Sequence, residues 1–142
     1  MKAAPQVVEL PLDRAAEEWL AEIQALARWS DRARARLALG ATLHALRDQL
    51  DPAMLERVAL GLPPAVGKLW SDCGPARRPA RARSVEGLLA LVSREYVHAD
   101  VERAMRAVLR VLRSRLSHQC ADALRAALPD PRELWPTPGP AS

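Results

Sequence analysis

The amino-acid sequence predicts an all-α protein made of two tandem helical-bundle repeats, each with about three helices and a short terminal turn. Three observations support this fold class: the composition, the spacing of the leucines, and a similar order of features in the two halves. The 142 residues are 49% hydrophobic but include no Phe and one Tyr. Leu, Val and Ala must therefore fill most of the interior, and this apolar composition, poor in aromatic residues, favours helices over sheets.

Large apolar side chains recur at helical spacing in both halves. In the first half they fall at i, i+4, i+7 and i+11, which places them on one side of a helix. The second half repeats this spacing. We expect the two sets to form the core. They are Leu39, Leu43, Leu46 and Leu50, and Met105, Leu109, Leu112 and Leu116.

The first repeat is predicted to span residues 12–72, after an N-terminal extension over residues 1–11. Its first helix carries an apolar stripe that begins at Trp19, and it ends near Trp29. Ser30 follows as the N-cap of the long second helix, because a serine hydroxyl can accept a hydrogen bond from an unpaired backbone N–H of the first turn.

The third helix is predicted to begin at Asp51-Pro52. Asp is a good N-cap, and the missing N–H of Pro is tolerated at the first helical position. The residues from Gly61 to Pro64 end this helix, and a short turn with Trp70 closes the repeat. A linker rich in Pro, Gly and Arg then covers residues 73–83, and this composition predicts an extended, mobile segment.

The second repeat is predicted over residues 84–135, with the same plan. Ser84, Asp100 and Ser117 are the expected N-caps of its three helices. Asp130 to Glu133 form a capping-box pattern that opens a last short turn. A Pro-rich disordered tail is predicted over residues 136–142.

The matching order of the two halves predicts an internal duplication. Residues of the same type recur at an offset of about 66 residues, and each half closes with Leu-Pro and then Leu-Trp. The matched positions are Leu50 with Leu116, Val58 with Leu124, Leu62-Pro63 with Leu128-Pro129, and Leu69-Trp70 with Leu134-Trp135.

Four runs carry a family resemblance: Leu43 to Leu50, Gly61-Leu62-Pro63, Ala127-Leu128-Pro129, and Arg132 to Pro136. With these runs, the chain from about Leu12 to Pro136 resembles the bacterial family known as domain of unknown function 2267. The resemblance implies an all-helical, internally duplicated domain of the bacterial cytoplasm, with no established activity, cofactor or catalytic residue. Members commonly carry a Gly-bearing segment with Tyr and Trp after the first repeat, and this chain departs from that pattern after Trp70.

The net charge of +4 is unevenly distributed. Residues 1–72 hold 9 basic and 10 acidic side chains, whereas residues 73–142 hold 12 and 7. On the predicted long helix of the second half, four arginines at i, i+3, i+7 and i+10 form a stripe opposite the buried positions. With four more in the linker, they are candidate anion-binding residues. They are Arg77, Arg78, Arg81 and Arg83, and Arg103, Arg106, Arg110 and Arg113.

Two interpretations of this stripe remain open. Phosphate backbones would bind it through charge and counterion release. The alternative is a solvated outer face, on which Glu102 pairs with Arg106 at i+4. No aromatic side chain is interleaved for base stacking, which favours the solvated face.

The reactive side chains do not form a catalytic or metal-binding pattern. Cys73 and Cys120 lack metal-ligand spacing, and the side chains of His118 and Cys120 point about 200° apart on a helix. No phosphate loop, nucleophile elbow or HExxH motif is present. We therefore expect no enzyme activity, no metal and no cofactor.

The remaining expectations concern location and partners. The sequence has no secretory pattern and no apolar run that could span a bilayer, so we expect a cytoplasmic protein without membrane contact. Trp70 and Trp135 are candidate residues for closing the cores of their repeats, although a repeated Trp can also anchor a partner.

The first function hypothesis is a non-enzymatic interaction module that binds an unknown protein partner or itself. The alternative hypothesis is an accessory protein that binds nucleic acid or another polyanion through the Arg-rich second half.

Overall fold

The computed structural model describes residues 14–71 and 81–136. This part of the chain contains eight helices and no strand, so the all-α prediction is confirmed for it. The helices are α1 (Arg14–Ala27), α2 (Arg32–Arg47), α3 (Pro52–Leu60), α4 (Pro64–Ser71), α5 (Val85–Ser93), α6 (Val101–Arg115), α7 (His118–Ala127) and α8 (Pro131–Leu134).

Local capping signals set the starts of several helices. The side chains of Asp51, Ser84, Ser117 and Asp130 each accept a hydrogen bond from a backbone N–H in the first turn of α3, α5, α7 and α8. These four predicted caps are confirmed. Each satisfies an N–H that has no partner within the helix itself, and this fixes where the helix begins.

The predicted cap of α2 was wrong by one residue. Asp31, not Ser30, is the N-cap, and its carboxylate accepts from the backbone N–H of Ala33 at 2.9 Å. The reason lies in the preceding turn. Arg28 takes a positive φ of 63°, and the N–H of Trp29 bonds back to the carbonyl of Gln24. Ser30 is part of the turn that changes the direction of the chain after α1, so α2 begins one residue later than predicted.

Helices α2 and α6 occupy the centre of the fold. The first packs against α1, α4, α5 and α6, and the second also contacts α1 and α5. Helices α3 and α4 pack together, α3 also contacts α7, and α7 contacts α8. Both predicted leucine stripes are buried, with exposed fractions between 0% and 9%.

The buried side chains form one continuous core drawn from both halves. Because α1 and α2 bury their apolar sides against α5 and α6, the two halves do not each enclose a separate core within the described residues. Residues 1–11, residues 73–80 of the predicted linker and residues 137–142 lie outside the described part. None of the described helices is long and apolar enough to cross a lipid bilayer.

Candidate functional site

The predicted arginine stripe on α6 is divided by contacts with other elements. Arg103 donates a hydrogen bond to the carbonyl oxygen of Ala27 at 3.3 Å, at the end of α1. Arg106 pairs with Glu102 at 2.9 Å and with Glu133 of α8 at 2.8 Å. The guanidinium groups of Arg103 and Arg106 therefore hold helices together, and the predicted pair between Glu102 and Arg106 is present.

The other candidate arginines have different surroundings. Arg110 is exposed and Arg113 is half-buried, and neither makes an ion pair with a residue that the structure describes. Arg81 and Arg83 are exposed just before α5. Arg77 and Arg78 lie outside the described residues. The structure thus leaves Arg110 and Arg113 as the two residues of the α6 stripe that are open to a ligand.

Arg113 opens onto a cleft between the C-terminal end of α6, α7 and α8. The cleft has a volume of about 680 Å³, within the range of sites that bind ligands in proteins. Its apolar wall consists of Leu116, Ala121, Pro131, Trp135 and Pro136.

Three arginines from three different helices line this cleft. They are Arg113 of α6, Arg125 of α7 and Arg132 of α8, and His118 lies nearby at the start of α7. The cleft also contains one acidic side chain, Asp122. None of the three guanidinium groups makes an ion pair or hydrogen bond within residues 14–71 and 81–136. The result is an apolar wall with a positively charged rim.

Caps and ion pairs position the walls of the cleft. Helix α6 ends at Arg115 with Leu116 as its C-cap, and Ser117 caps α7. Asp130 caps α8 by accepting from the N–H of Glu133 at 3.3 Å. Arg106 holds α8 against α6 through Glu133, and Leu134 of α8 is buried. Because α8 is fixed on both sides, Arg132 and Trp135 are held at the cleft.

The two candidate tryptophans occupy different environments. Trp70, at the end of α4, is 2% exposed and belongs to the core, and its carbonyl accepts a hydrogen bond from Arg47. Trp135 is only partly buried: it packs against the core and also lines the cleft. Trp135 is therefore accessible from the cleft, whereas Trp70 is almost fully buried.

A second polar cluster joins the two halves around Asp100. The Asp100 carboxylate accepts hydrogen bonds from Tyr96 at 2.8 Å, from Arg34 at 2.9 Å and from Trp29 at 3.2 Å. The Trp29 and Tyr96 rings stack at 5.9 Å, and the Arg34 guanidinium lies 4.9 Å from the Trp29 ring centroid. We call Trp29, Arg34, Tyr96 and Asp100 the Asp100 cluster.

The Asp100 cluster corrects a predicted role. Asp100 does precede α6, but its side chain makes no capping hydrogen bond to that helix. Burial raises the pKa of the Asp100 carboxyl, and the hydrogen bonds from Tyr96, Arg34 and Trp29 outweigh this and lower the pKa overall. Burial also raises the pKa of Tyr96. The ionised Asp100 carboxylate therefore links the two halves through its hydrogen bonds to Trp29 and Arg34.

His44 makes a further connection between the halves. Its Nδ1 lies 2.8 Å from a Glu95 oxygen, and its Nε2 lies 2.7 Å from the carbonyl oxygen of Leu69. His98 packs its ring against Tyr96 at 5.0 Å. Within the described part of the chain, no group of three or more His, Cys, Asp or Glu side chains is placed to hold a metal ion.

The sequence singled out Arg113 but missed Arg125 and Arg132. The three arginines share no period, since each belongs to a different helix, so a search along one helix face does not connect them. The available signal was the excess of basic residues over acidic residues in 73–142. That excess indicated which half of the chain holds the basic residues, but it did not indicate that three of them line one cleft.

The family comparison gives a specific result, and no curated protein matches the chain. The profile of the DUF2267 family, described as an uncharacterized conserved protein, matches residues 16–134. This range runs from the first turn of α1 to the end of α8, so it includes both central helices and most of the cleft. The chain therefore belongs to the DUF2267 family.

Proposed function

We propose that the protein is a non-enzymatic protein-interaction module, and that the cleft between α6, α7 and α8 is its binding site. The observation that carries this proposal is the combination of an apolar wall with three arginines that have no partner among the described residues. Aromatic side chains and arginines are enriched among the residues that dominate binding energy at protein interfaces. Trp135 and the three arginines supply both types in one place.

The absence of an enzyme role is part of the proposal. It rests on the sequence, which contains no nucleophile, phosphate-loop or metal-ligand motif. The polar side chains of the Asp100 cluster bind one another across the two halves. Their geometry supports a structural role, and the cleft supports binding.

The test is capture of a partner by the immobilised full-length chain, with matched variants. We expect the wild-type chain to retain a protein from an extract of its native host in near-equimolar amount. Arg113→Glu combined with Arg125→Glu should abolish this retention, and so should Trp135→Ala. Arg94→Glu is the matched control, because Arg94 is exposed and does not line the cleft.

The same variants distinguish self-association from binding to another protein. Sedimentation velocity of the wild-type chain alone measures whether copies associate, and the double arginine variant shows whether the cleft is involved. Retention that survives the cleft variants, together with a monomeric wild-type chain, would refute the proposed site.

A second candidate function is binding of nucleic acid or another polyanion by the Arg-rich second half. The observation in its favour is that Arg110 and Arg113 are open on α6, with Arg81 and Arg83 exposed before α5. Binding of this kind weakens steeply with salt. Fluorescence anisotropy with a duplex DNA at several salt concentrations tests it, and charge reversal at Arg110 should weaken the binding as much as charge reversal at Arg113.

We further propose that the fold arose by duplication of a four-helix unit and that the protein works in the bacterial cytoplasm. The order of α1 to α4 supports the first point, since α5 to α8 repeat it with a long second helix and a short fourth helix. Leu50 and Leu116, Val58 and Leu124, and Leu62 and Leu128 are buried at matched positions. The cytoplasm is supported by the low cysteine content, two in 142 residues, because small secreted domains are commonly rich in disulfides.

A further inference from the structure

We infer that the partner segment bound by the cleft is a short acidic peptide stretch with an apolar anchor: carboxylates that pair with the arginine rim, beside an aliphatic side chain that packs on Trp135. This inference rests on the proposed function and names the chemistry of the partner. It is supported by the charge of the rim, the nature of the wall and the size of the cleft.

The charge of the rim selects for acidic groups. Arg113, Arg125 and Arg132 converge on the cleft from three helices, and the one acidic lining residue is Asp122. Elsewhere, Arg34, Arg106 and Arg115 each pair with a carboxylate of this chain at 2.7–2.9 Å. The cleft arginines lack such partners among the described residues. A guanidinium group binds a carboxylate with two parallel hydrogen bonds, so carboxylates are the fitting ligands.

The apolar wall of the cleft indicates that the ligand also carries an apolar group. Leu116 and Ala121 form a nearly buried base at 8% and 7% exposure, and Trp135 stands beside them, partly buried. A ligand that carried charge alone would leave this surface in water. An aliphatic side chain placed on it would remove apolar area from water, and this favours binding.

The shape and size of the cleft favour a peptide over a nucleic acid. A volume of about 680 Å³ accommodates the side chains of a few residues. Nucleic-acid binding by charge uses a long positive track, but Arg103 and Arg106 already pair with Ala27 and with Glu102 and Glu133.

The test measures fluorescence anisotropy of a labelled, capped peptide of about eight residues with glutamates and two leucines, mixed with the full-length chain at about 0.15 M salt. Two comparison peptides replace the glutamates by glutamine or the leucines by alanine. A single-stranded thymidine oligonucleotide of about eight nucleotides is the third comparison. Variants are Arg113→Glu, Arg125→Glu and Trp135→Ala, with Arg110→Glu and Arg94→Glu as matched controls.

We expect saturable binding of the glutamate–leucine peptide and at least about tenfold weaker binding of each comparison ligand. Charge reversal at Arg113 or Arg125 should weaken binding of the peptide by about tenfold or more. The Arg110→Glu and Arg94→Glu variants should bind it within about twofold of the wild-type affinity. Trp135→Ala should remove the preference for leucine over alanine but keep the preference for glutamate over glutamine. Thermal unfolding of each variant verifies that it is folded.

Three results would overturn the inference. They are equal binding of the glutamine peptide, tighter binding of the oligonucleotide than of the peptide, and a loss at Arg110→Glu as large as at Arg113→Glu. If the peptides fail but partner capture still depends on Arg113 and Arg125, the acidic chemistry is wrong and the interaction function stands.

Discussion

A close approach between Gly61 and Cys120 joins the end of α3 to the start of α7. A Cβ atom built on Gly61 would lie 2.7 Å from the Cys120 Sγ, a distance too short for two side-chain atoms. The φ of Gly61 is −88°, an ordinary value for any residue. Glycine is therefore needed here because of the space that Cys120 occupies, and not because of the backbone conformation.

We predict that Gly61→Ala lowers the free energy of unfolding by about 1–3 kcal/mol, as expected for overpacking of a filled site. In a Cys120→Ala background the Sγ is gone, and the same substitution should have a smaller effect. Urea unfolding of the four chains measures the coupling between the two positions. Equal losses in both backgrounds would show that the Sγ contact is not the cause.

Asp100 gives a prediction about pH. We predict that Asp100→Asn lowers the free energy of unfolding at neutral pH by about 1–2 kcal/mol, because it weakens the hydrogen bonds from Trp29, Arg34 and Tyr96. The folded protein lowers the pKa of this carboxyl. The advantage of the wild-type chain should therefore be complete above the ordinary pKa of about 3.9 and disappear as the pH falls through the lowered value.

The measurement is urea unfolding of both proteins between neutral pH and the acid range. Asp122→Asn is the matched control, because Asp122 is exposed and makes no ion pair with a described residue. A difference between wild type and Asp100→Asn that does not change with pH would argue against a charged Asp100.

At the scale of single elements, α2 contains an internal glycine with room beside it. Gly40 is buried, but no described atom lies within 4 Å of a Cβ built on it, apart from its two chain neighbours and the nearby backbone of the helix itself. Glycine is less favourable than alanine in a helix interior by about 0.8–1.0 kcal/mol. The sequence of α2 thus carries a helix-weakening residue without a packing reason among the described residues.

We predict that Gly40→Ala raises the free energy of unfolding by about 1 kcal/mol, because it restricts the unfolded chain and adds a methyl group in open space. Thermal and urea unfolding measure the effect. Ala41→Gly, at the next position of the same helix, is the opposite substitution and should destabilise. A lower stability for Gly40→Ala would mean that α2 needs the space at this position.

The sequence predicted elements best where the determining contacts were local. Asp51, Ser84 and Ser117 each accept a hydrogen bond from a backbone N–H three residues further along the chain. Such short-range contacts can be predicted from the local sequence. The role of Asp100 could not be predicted in this way. Its partners Arg34 and Trp29 lie 66 and 71 residues away in the chain, and only the packing of α2 against α5 and α6 brings them together.

The candidate site shows the same limit. The four arginines of the stripe do lie at helical spacing on α6. Spacing along one helix does not reveal that Arg106 binds Glu133 or that Arg103 binds the carbonyl of Ala27. The cleft around Arg113 depends on α7 and α8. Of the residues that line the cleft, the sequence analysis had named Arg113 as an anion-binding candidate and Trp135 as a candidate for closing the core of its repeat.

At the scale of the whole molecule, the main feature is the shared core. The stripes of α2 and α6 bury against elements of the opposite half, and the described halves are also joined by the Asp100 cluster, by His44 with Glu95, and by Gln49, whose Oε1 accepts from the Ala82 N–H at 2.9 Å. Each half therefore lacks part of its own interior when it is alone.

We predict that a chain of residues 12–72 or of residues 84–135, expressed by itself, has little helical signal and no cooperative unfolding transition. Isolated helices of 8 to 16 residues, the range of most helices here, are marginal in water without packing. Circular dichroism during urea titration measures this, with the full-length chain as control. Mixing the two pieces should increase the helical signal, and independent cooperative unfolding of either piece would contradict a shared core.

The placement of the tryptophans gives the molecule separate optical reporters. Trp29 stacks on Tyr96 where the two halves meet, whereas Trp135 lines the cleft between α6, α7 and α8. Single-tryptophan chains that keep one or the other would emit from these two locations alone. Emission from Trp29 would follow separation of the halves, and quenching or a colour shift at Trp135 would follow occupation of the cleft, so that unfolding and binding can be read independently in one protein.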